Sequence, residues 1–495
     1  ENVLAFLIIL VAVFSRFYKL EARVMSHDEV NHVVPSWELY QGNGYRHDPV
    51  THGPFQFHVV ALSYFLLGDD DFSSRVPAAI FSTAAVAFVL FGFRRYLGRK
   101  GALVAGLLYT ISPYMLFYGR YTRNEAFIEL VGVALLFGLL RYLERGDRLS
   151  LFLVTITTSL HFCIKETAYI YTAQFLLFVG VLLLEEIQRL EWDDSSNRKK
   201  FAGLMLGSFA LLGSALALAV LEAEQKAPPM EDAPSMLPGG FLAHASASPI
   251  FLGVVASLAA AIVIGIVAVV FVVRKLGWEK IRSLRSFNIL ILVGTLILPL
   301  LSAFPVKIVG WDPLDYSSKG IMQTGIFVLA FTIIATLIGL WWNSRQWLIH
   351  AVVFYAIFIV FYTTIFTNGQ GFFTGLVGAL GYWLSQQSVN RGEQPWYYYA
   401  AIQVPMYEYL AALGTFLAVY FGVRHRKFTS VPGYSPADDF SQLTTDDDRI
   451  KPHDIPTLSL LVFWSISSLI AYSIAGEKMP WLTVHIALPL IMAGG

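Results

Sequence analysis

Long apolar runs recur along almost the whole chain, and they constrain its fold more than any other feature. A helix that crosses the hydrocarbon core of a bilayer needs about 20 mostly apolar residues. On that rule we read spans near 2–18, 76–93, 101–118, 126–143, 149–164, 167–184, 201–221, 249–273, 287–304, 321–342, 347–366, 404–423, 456–475 and 481–495, about fourteen in all. Only 14% of the residues are charged, against roughly a quarter in soluble domains. The expected fold class is an all-α polytopic membrane protein, with residues 1–495 forming a single transmembrane domain.

The apolar piece from Phe55 to Leu67 is too short to span and is interrupted by His58. We assign it to an interfacial helix inside a long first outer loop, residues 19–75. With the chain starting inside, the inner connections, including the loop 424–455, hold 22 of the 35 lysines and arginines, the bias that the positive-inside rule expects. Moving the Phe55 segment into the membrane would put Arg94 to Lys100 outside and reverse that bias. The protein is therefore expected in the plasma membrane, multi-pass, with its active site toward the outer face. The outer loop 222–248 is rich in Pro and Ala, and neither it nor 424–455 is long enough for a domain. No small-residue cleavage site follows the run Val3 to Phe14, so the first span is expected to stay as an anchor. The first residue is not methionine and the last lies inside an apolar run, so both ends are expected to continue. No internal repeat is visible, which argues against inverted-repeat transporters. A formal charge of zero offers no basic field for nucleic acid. Cys163, the only cysteine, supports neither a disulfide framework nor a thiolate metal site.

Ionisable groups at the edge of hydrocarbon are functional-site candidates, and on this topology they collect at the outer helix ends. Asp28, Glu29, Asp48, Glu125, Glu166 and Glu477 come out there, as do Arg120, Arg123, Lys165 and Lys478. Asp28 and Glu29, in SHDEVNH, admit three readings: solvated charge, ion pair with Arg16, Arg23 or Arg46, or general base. In YGRYTRNEAF, Arg120 and Arg123 have the fork that matches phosphate oxygens, with an Arg123–Glu125 ion pair as the plainer account. In AGEKMPWL, Lys478 suits a phosphate as a point charge or snorkels, and Trp481 suits an interface anchor. The stretch RGEQPWYYY carries Tyr397 within an aromatic belt, of the kind that sugar rings and polyprenyl tails also pack against. Lys165 and Glu166 are expected to pair with each other. Five of the eleven histidines lie between positions 27 and 58. Their spacing matches no known zinc signature, so hydrogen-bonded histidines are the simpler reading; a divalent metal on His27, His32 and His47 is the alternative.

An acidic pair after the first span, HDPVTHGPF opening the interfacial helix, the arginine-rich turn with its acid, RGEQPWYYY and EKMPWL occur in an order that resembles one family. It is the GT-C superfamily of lipid-linked-sugar glycosyltransferases, in particular the protein O-mannosyltransferase and aminoarabinose-transferase-like group, with nearest likeness to the flippase-activity-associated proteins of archaea and bacteria. The resemblance implies a GT-C type bundle and a catalytic aspartate in the first outer loop, here Asp28, with Glu29 and Glu125 as further candidate acids. It implies a polyprenyl-phosphate-linked sugar as donor, for which Arg120, Arg123, Lys478, His52 and Tyr397 are the candidate contacts. Two departures are visible. The second-turn acid, usually Asp, is Glu125, and the paired prolines appear as Asp48-Pro49 and Gly53-Pro54. The implied reaction is inverting transfer to an acceptor hydroxyl on a glycan, lipid or protein, with no cofactor required. Alternative readings are a lipid-phosphate flippase component and a non-catalytic subunit of a membrane complex that retains the fold.

Overall fold

The computed structural model describes residues 1–225, 249–386, 394–428 and 455–495. Most of the expected loops 222–248 and 424–455, and residues 391–393 of the aromatic stretch, lie outside the described residues. Within them the regular elements are all helical, and a helix occupies each of the expected apolar stretches. In chain order the first nine are α1 (Asn2–Phe17), α2 (His27–Tyr40), α3 (Phe55–Leu67), α4 (Asp71–Gly92), α5 (Arg94–Ile111), α6 (Pro113–Tyr118), α7 (Glu125–Arg145), α8 (Arg148–Ile164) and α9 (Thr167–Arg189).

Among the described residues, seven helices are by themselves long and apolar enough to cross a membrane, or eight if the pair Tyr398–Tyr407 and Tyr409–Arg424, bent by 105°, counts as one. The difference from about fourteen has physical causes. Helices α1 and α8, apolar but with 16 and 17 residues, lie at the short end of the spanning range and are not in that count. In addition, Ser318–Tyr362 runs as one element of 45 residues, which if straight would be about 68 Å long. It is not straight. Asn343 leaves the helical region (φ −164°, ψ 98°), and a Cβ added at Gly339 would lie 2.2 Å from the indole of Trp347. Residues eight apart on a continuous helix are about 12 Å apart, so the chain reverses at Asn343. The absence of a side chain at Gly339 lets the two halves close on each other as separate spans.

The most enclosed span is α7, with 78% of its apolar window buried; it packs on α4 and α8. Helix α3, 13 residues long, lies against α2 and α4 and is too short to cross. The first loop thus folds back over the end of the bundle where α7 begins.

Candidate active site

Asp28 and Glu29 sit in the first turn of α2, where consecutive side chains point in different directions. Glu29 points inward. Its backbone N–H donates to Ser26 Oγ and its carboxylate accepts from the Ser26 N–H, a reciprocal cap. The same carboxylate accepts from Arg75 Nε at 2.8 Å and Nη2 at 3.0 Å, from Arg23 Nη2 at 2.9 Å and from the Thr122 N–H at 3.2 Å. Burial alone would raise its pKa, but Arg75, the Ser26 N–H and Arg23 together hold it below the ordinary carboxylate value. Glu29, a candidate catalytic acid on sequence, is therefore a buried fastener. It ties α2 to α4 and to the turn that precedes α7.

Asp28 points outward, its side chain 36% exposed, and accepts from Arg123 Nη1 at 2.5 Å. Arg123 also places Nε 3.2 Å from a Glu125 oxygen. Its guanidinium carbon stands 3.7 Å from the centroid of the Trp481 ring, a cation–π contact. The other Glu125 oxygen accepts from Lys165 Nζ at 2.5 Å. Asp28, Arg123, Glu125 and Lys165 thus form a row of alternating charge, and all but Asp28 are buried. Buried ions persist when each has a countercharge within reach, which this row supplies.

The row opens into a cleft of about 340 Å³ lined by Asp28, Asn31, His32, His52, Arg123, Glu166 and Glu477, with Tyr382, Trp383 and Trp481 as its aromatic wall. His52 is held there by Glu166, whose carboxylate lies 2.7 Å from Nδ1. Burial would raise the Glu166 pKa, and the adjacent His52 and Lys165 hold it down instead. The next residue makes this contact possible. The Gly53 N–H donates to Ile164 O at 3.1 Å, and a Cβ at Gly53 would lie 2.2 Å from Cys163 O, so only glycine lets the loop press onto the end of α8. His52 itself takes φ 70°, a conformation uncommon outside glycine and one that gathers at functional sites.

Several expectations are corrected. Arg120 does not reach the cleft: its fork binds the backbone oxygens of Ser15, Tyr18 and Lys19 just past and at the end of α1, where a cation meets unsatisfied carbonyls. Lys478 donates to Ala475 O at 3.0 Å and does not line the cleft, although its neighbours Glu477 and Met479 do. Tyr397 is exposed and outside the lining. Lys165 and Glu166 pair not with each other but with Glu125 and His52. Nor do His27, His32 and His47 converge: His27 is exposed, His32 lines the cleft, and His47 bonds Thr374 elsewhere. Among the described residues no group of three His, Cys, Asp or Glu is placed to hold a metal ion. Trp481, read as an interface anchor, stacks on the central arginine. Tyr382 and Trp383 carried no sequence signal, since nothing in GYWLSQ ties it to a loop more than 300 residues earlier.

Residues 51–217 match the family described as Dolichyl-phosphate-mannose-protein mannosyltransferase. Among curated proteins none matches. Of solved structures, ArnT from Cupriavidus metallidurans bound to undecaprenyl phosphate is similar at 13% identity and TM-score 0.44, covering 99% of this chain and 59% of that one. The archaeal oligosaccharyltransferase AglB from Archaeoglobus fulgidus, in complex with an inhibitory peptide and a dolichol-phosphate, is similar at 12% identity and TM-score 0.43, covering 100% and 49%. The chain thus spans only about half to three-fifths of the length of these proteins. The family match over residues 51–217 supports the likeness to GT-C superfamily membrane glycosyltransferases that the sequence motifs carry.

Proposed function

We propose that this integral membrane protein transfers a sugar from a polyprenyl-phosphate donor to an acceptor hydroxyl, with Asp28 as general base and Arg123 as the phosphate contact. The observation that carries the reading is the cleft with a half-exposed carboxylate and a buried, stacked guanidinium 2.5 Å apart. The family matched by residues 51–217 is named for dolichyl-phosphate-mannose, a donor of this chemical class.

Arg123 directs Nε at Glu125 and Nη1 at Asp28, which leaves the N–H groups of Nη2 for a donor phosphate. When the phosphate arrives, Arg123 shifts toward it and releases Asp28. Asp28 then takes the acceptor's hydroxyl proton, the oxygen bonds to the anomeric carbon, and the bond from that carbon to the phosphate oxygen breaks. Polyprenyl phosphate leaves with its charge met by Arg123, and Lys165 behind Glu125 keeps the row balanced. One displacement without a covalent intermediate inverts the anomeric centre. The charges needed are supplied by side chains, so the reaction is proposed to run without a cofactor.

Binding of polyprenyl phosphate and of uncharged prenol to the full chain in nanodiscs tests this. Arg123→Ala should lose phosphate affinity selectively, while Arg120→Ala and Lys478→Ala should not. Equal losses for both lipids in Arg123→Ala would mean that Arg123 only shapes the cleft. His52 supports a second assignment of the base, because Glu166 engages Nδ1 and leaves Nε2 as the ring's remaining proton acceptor. Transfer that survives in Asp28→Asn and fails in His52→Gln would move the base there. Selective phosphate binding with no transfer to any acceptor would favour a transport or non-catalytic role.

A further inference from the structure

On the other side of the turn Pro49–Thr51 lies a second cavity, of about 330 Å³, lined by Arg46, His47, Asp48, Tyr316, Asn368 and Gln370, with Pro49, Gly371 and Thr374. The first loop is the partition: residues 46–49 face this cavity and residues 50–52 face the cleft that holds Asp28. Its lining carries one cation and one anion, two side-chain amides, an imidazole and a phenol.

His47 is buried, 5% exposed, and its Nδ1 lies 2.8 Å from Thr374 Oγ1. That hydroxyl also donates to Gly371 O at 3.1 Å, which assigns it as the acceptor from His47 and the ring proton to Nδ1. Nε2 and the hydroxyl of Tyr316 are buried and make no hydrogen bond, and the backbone of His52 lies close to the ring. Burial holds the His47 pKa at about 4, which keeps this tautomer neutral in ordinary buffers. Unpaired buried polar groups are uncommon in folded proteins and call for an explanation.

The rim is built with unusual backbone. Thr364, Ile365 and Phe366 all have positive φ, between 49° and 66°, and all three are β-branched or aromatic residues that rarely adopt it. The turn is held by Thr364 Oγ1 donating to Tyr45 O and by the Asn368 N–H donating to Thr363 O. A Cβ at Gly371 would lie 1.8 Å from Tyr362 O, so the segment bearing Asn368 and Gln370 is pressed against the preceding helix. No ion pair engages Arg46 among the described residues.

We propose that this cavity is a saccharide-binding subsite that holds a neutral glycan acceptor by its hydroxyls, with the Asn368 and Gln370 amides donating and accepting. Its volume falls within the range of small-molecule sites, about 300 to 1,000 Å³. Balanced charge and amides with both bonding senses suit uncharged hydroxyls better than a phosphate, which would call for a net positive lining. That the bound glycan is the acceptor rests on the transferase reading; that a saccharide binds does not.

The test is saturation-transfer NMR on the full chain in nanodiscs with mannobiose, maltose and cellobiose at millimolar concentration, and inorganic phosphate as an anionic control. At least one disaccharide should bind, and the double variant Asn368→Ala, Gln370→Ala, altering only polar rim residues, should weaken it tenfold or more without changing polyprenyl phosphate binding. Arg123→Ala should do the reverse. The proposal is overturned if no disaccharide binds, if the double variant binds normally, if phosphate displaces the sugar, or if polyprenyl phosphate does so, which would seat the sugar in the first cleft. If a disaccharide binds as described but polyprenyl phosphate does not bind the unaltered protein, the transferase reading fails and the subsite stands.

Discussion

Replacing Glu29 by Gln and, separately, Asp28 by Asn changes two adjacent carboxylates by the same chemistry, and the two outcomes should have little in common. In Glu29→Gln the guanidinium of Arg75, fully buried, loses the countercharge of both its hydrogen bonds to this residue. Hydrogen bonds to charged groups contribute about 1.5 to 3 kcal/mol each, so two give about 3 to 6 kcal/mol. Breaking a buried ion pair from one side independently suggests about 3 to 5 kcal/mol. The new amide also sets an N–H₂ against donors that Arg75, Arg23, Thr122 and Ser26 already direct at the site. A loss of this size is a large part of a typical total stability of about 5 to 15 kcal/mol. Asp28→Asn removes only the partly exposed partner of Arg123, which is buried but keeps the Glu125 carboxylate as countercharge, so a smaller loss than in Glu29→Gln is expected. Its effect falls on transfer instead, lowered by about 10² to 10⁴ if the carboxylate is the base. Denaturant unfolding followed by tryptophan fluorescence, beside a transfer assay on the same preparations, separates the two. Near-normal stability of Glu29→Gln, or destabilisation of Asp28→Asn to the same degree as Glu29→Gln, would falsify the division of roles between them.

Gly53→Ala should destabilise the protein and loosen the His52–Glu166 contact, because its Cβ would stand 2.2 Å from a backbone oxygen that cannot move aside; wild-type unfolding behaviour in this variant would contradict the close approach. Stability should fall as pH drops from about 6.5 to about 4, by up to roughly 3 kcal/mol from His47 alone, since the unfolded imidazole protonates in that window while the buried one, with its pKa at about 4, stays neutral. His32, held well below the ordinary value by burial and by nearby Arg123, acts in the same direction. His47→Gln should flatten the slope, and an unchanged slope would assign the effect elsewhere. For orientation, Val24, 85% exposed, and Arg99, 78% exposed, lie beyond opposite ends of α4; as Val24→Cys and Arg99→Cys, the first should react with an impermeant thiol reagent from outside and the second should not, with little background from the buried Cys163. The opposite result would turn the cleft inward.

Most of the fold was legible because apolar length is a local property. Each apolar stretch did become helix, and the 13-residue Phe55 segment did remain short of a span. What locality hides is the break at Asn343, whose reason is the indole of Trp347 fitting where Gly339 has no side chain. From sequence alone that glycine is one among 38.

The site shows the same limit more sharply. Its charges could be placed at one end of the bundle from hydropathy and the distribution of basic residues, but hydropathy does not say which charge faces which. Arg120 and Arg123 are three residues apart and chemically identical. One reaches the carbonyls at the end of α1 and the other reaches Asp28, because the turn between α6 and α7 bends between them and is pinned there by Thr122 donating to Glu29 and to Ser74 O. Glu29 and Asp28 divide in the same way, since adjacent positions on a helix turn to different neighbours. The member of each pair that binds neighbouring structure holds the loop in place, and the member facing the cleft remains available for chemistry. Partner choice in this protein is thus decided by the backbone of two turns, and the groups most visible in the sequence as charges are partly the ones that fix those turns.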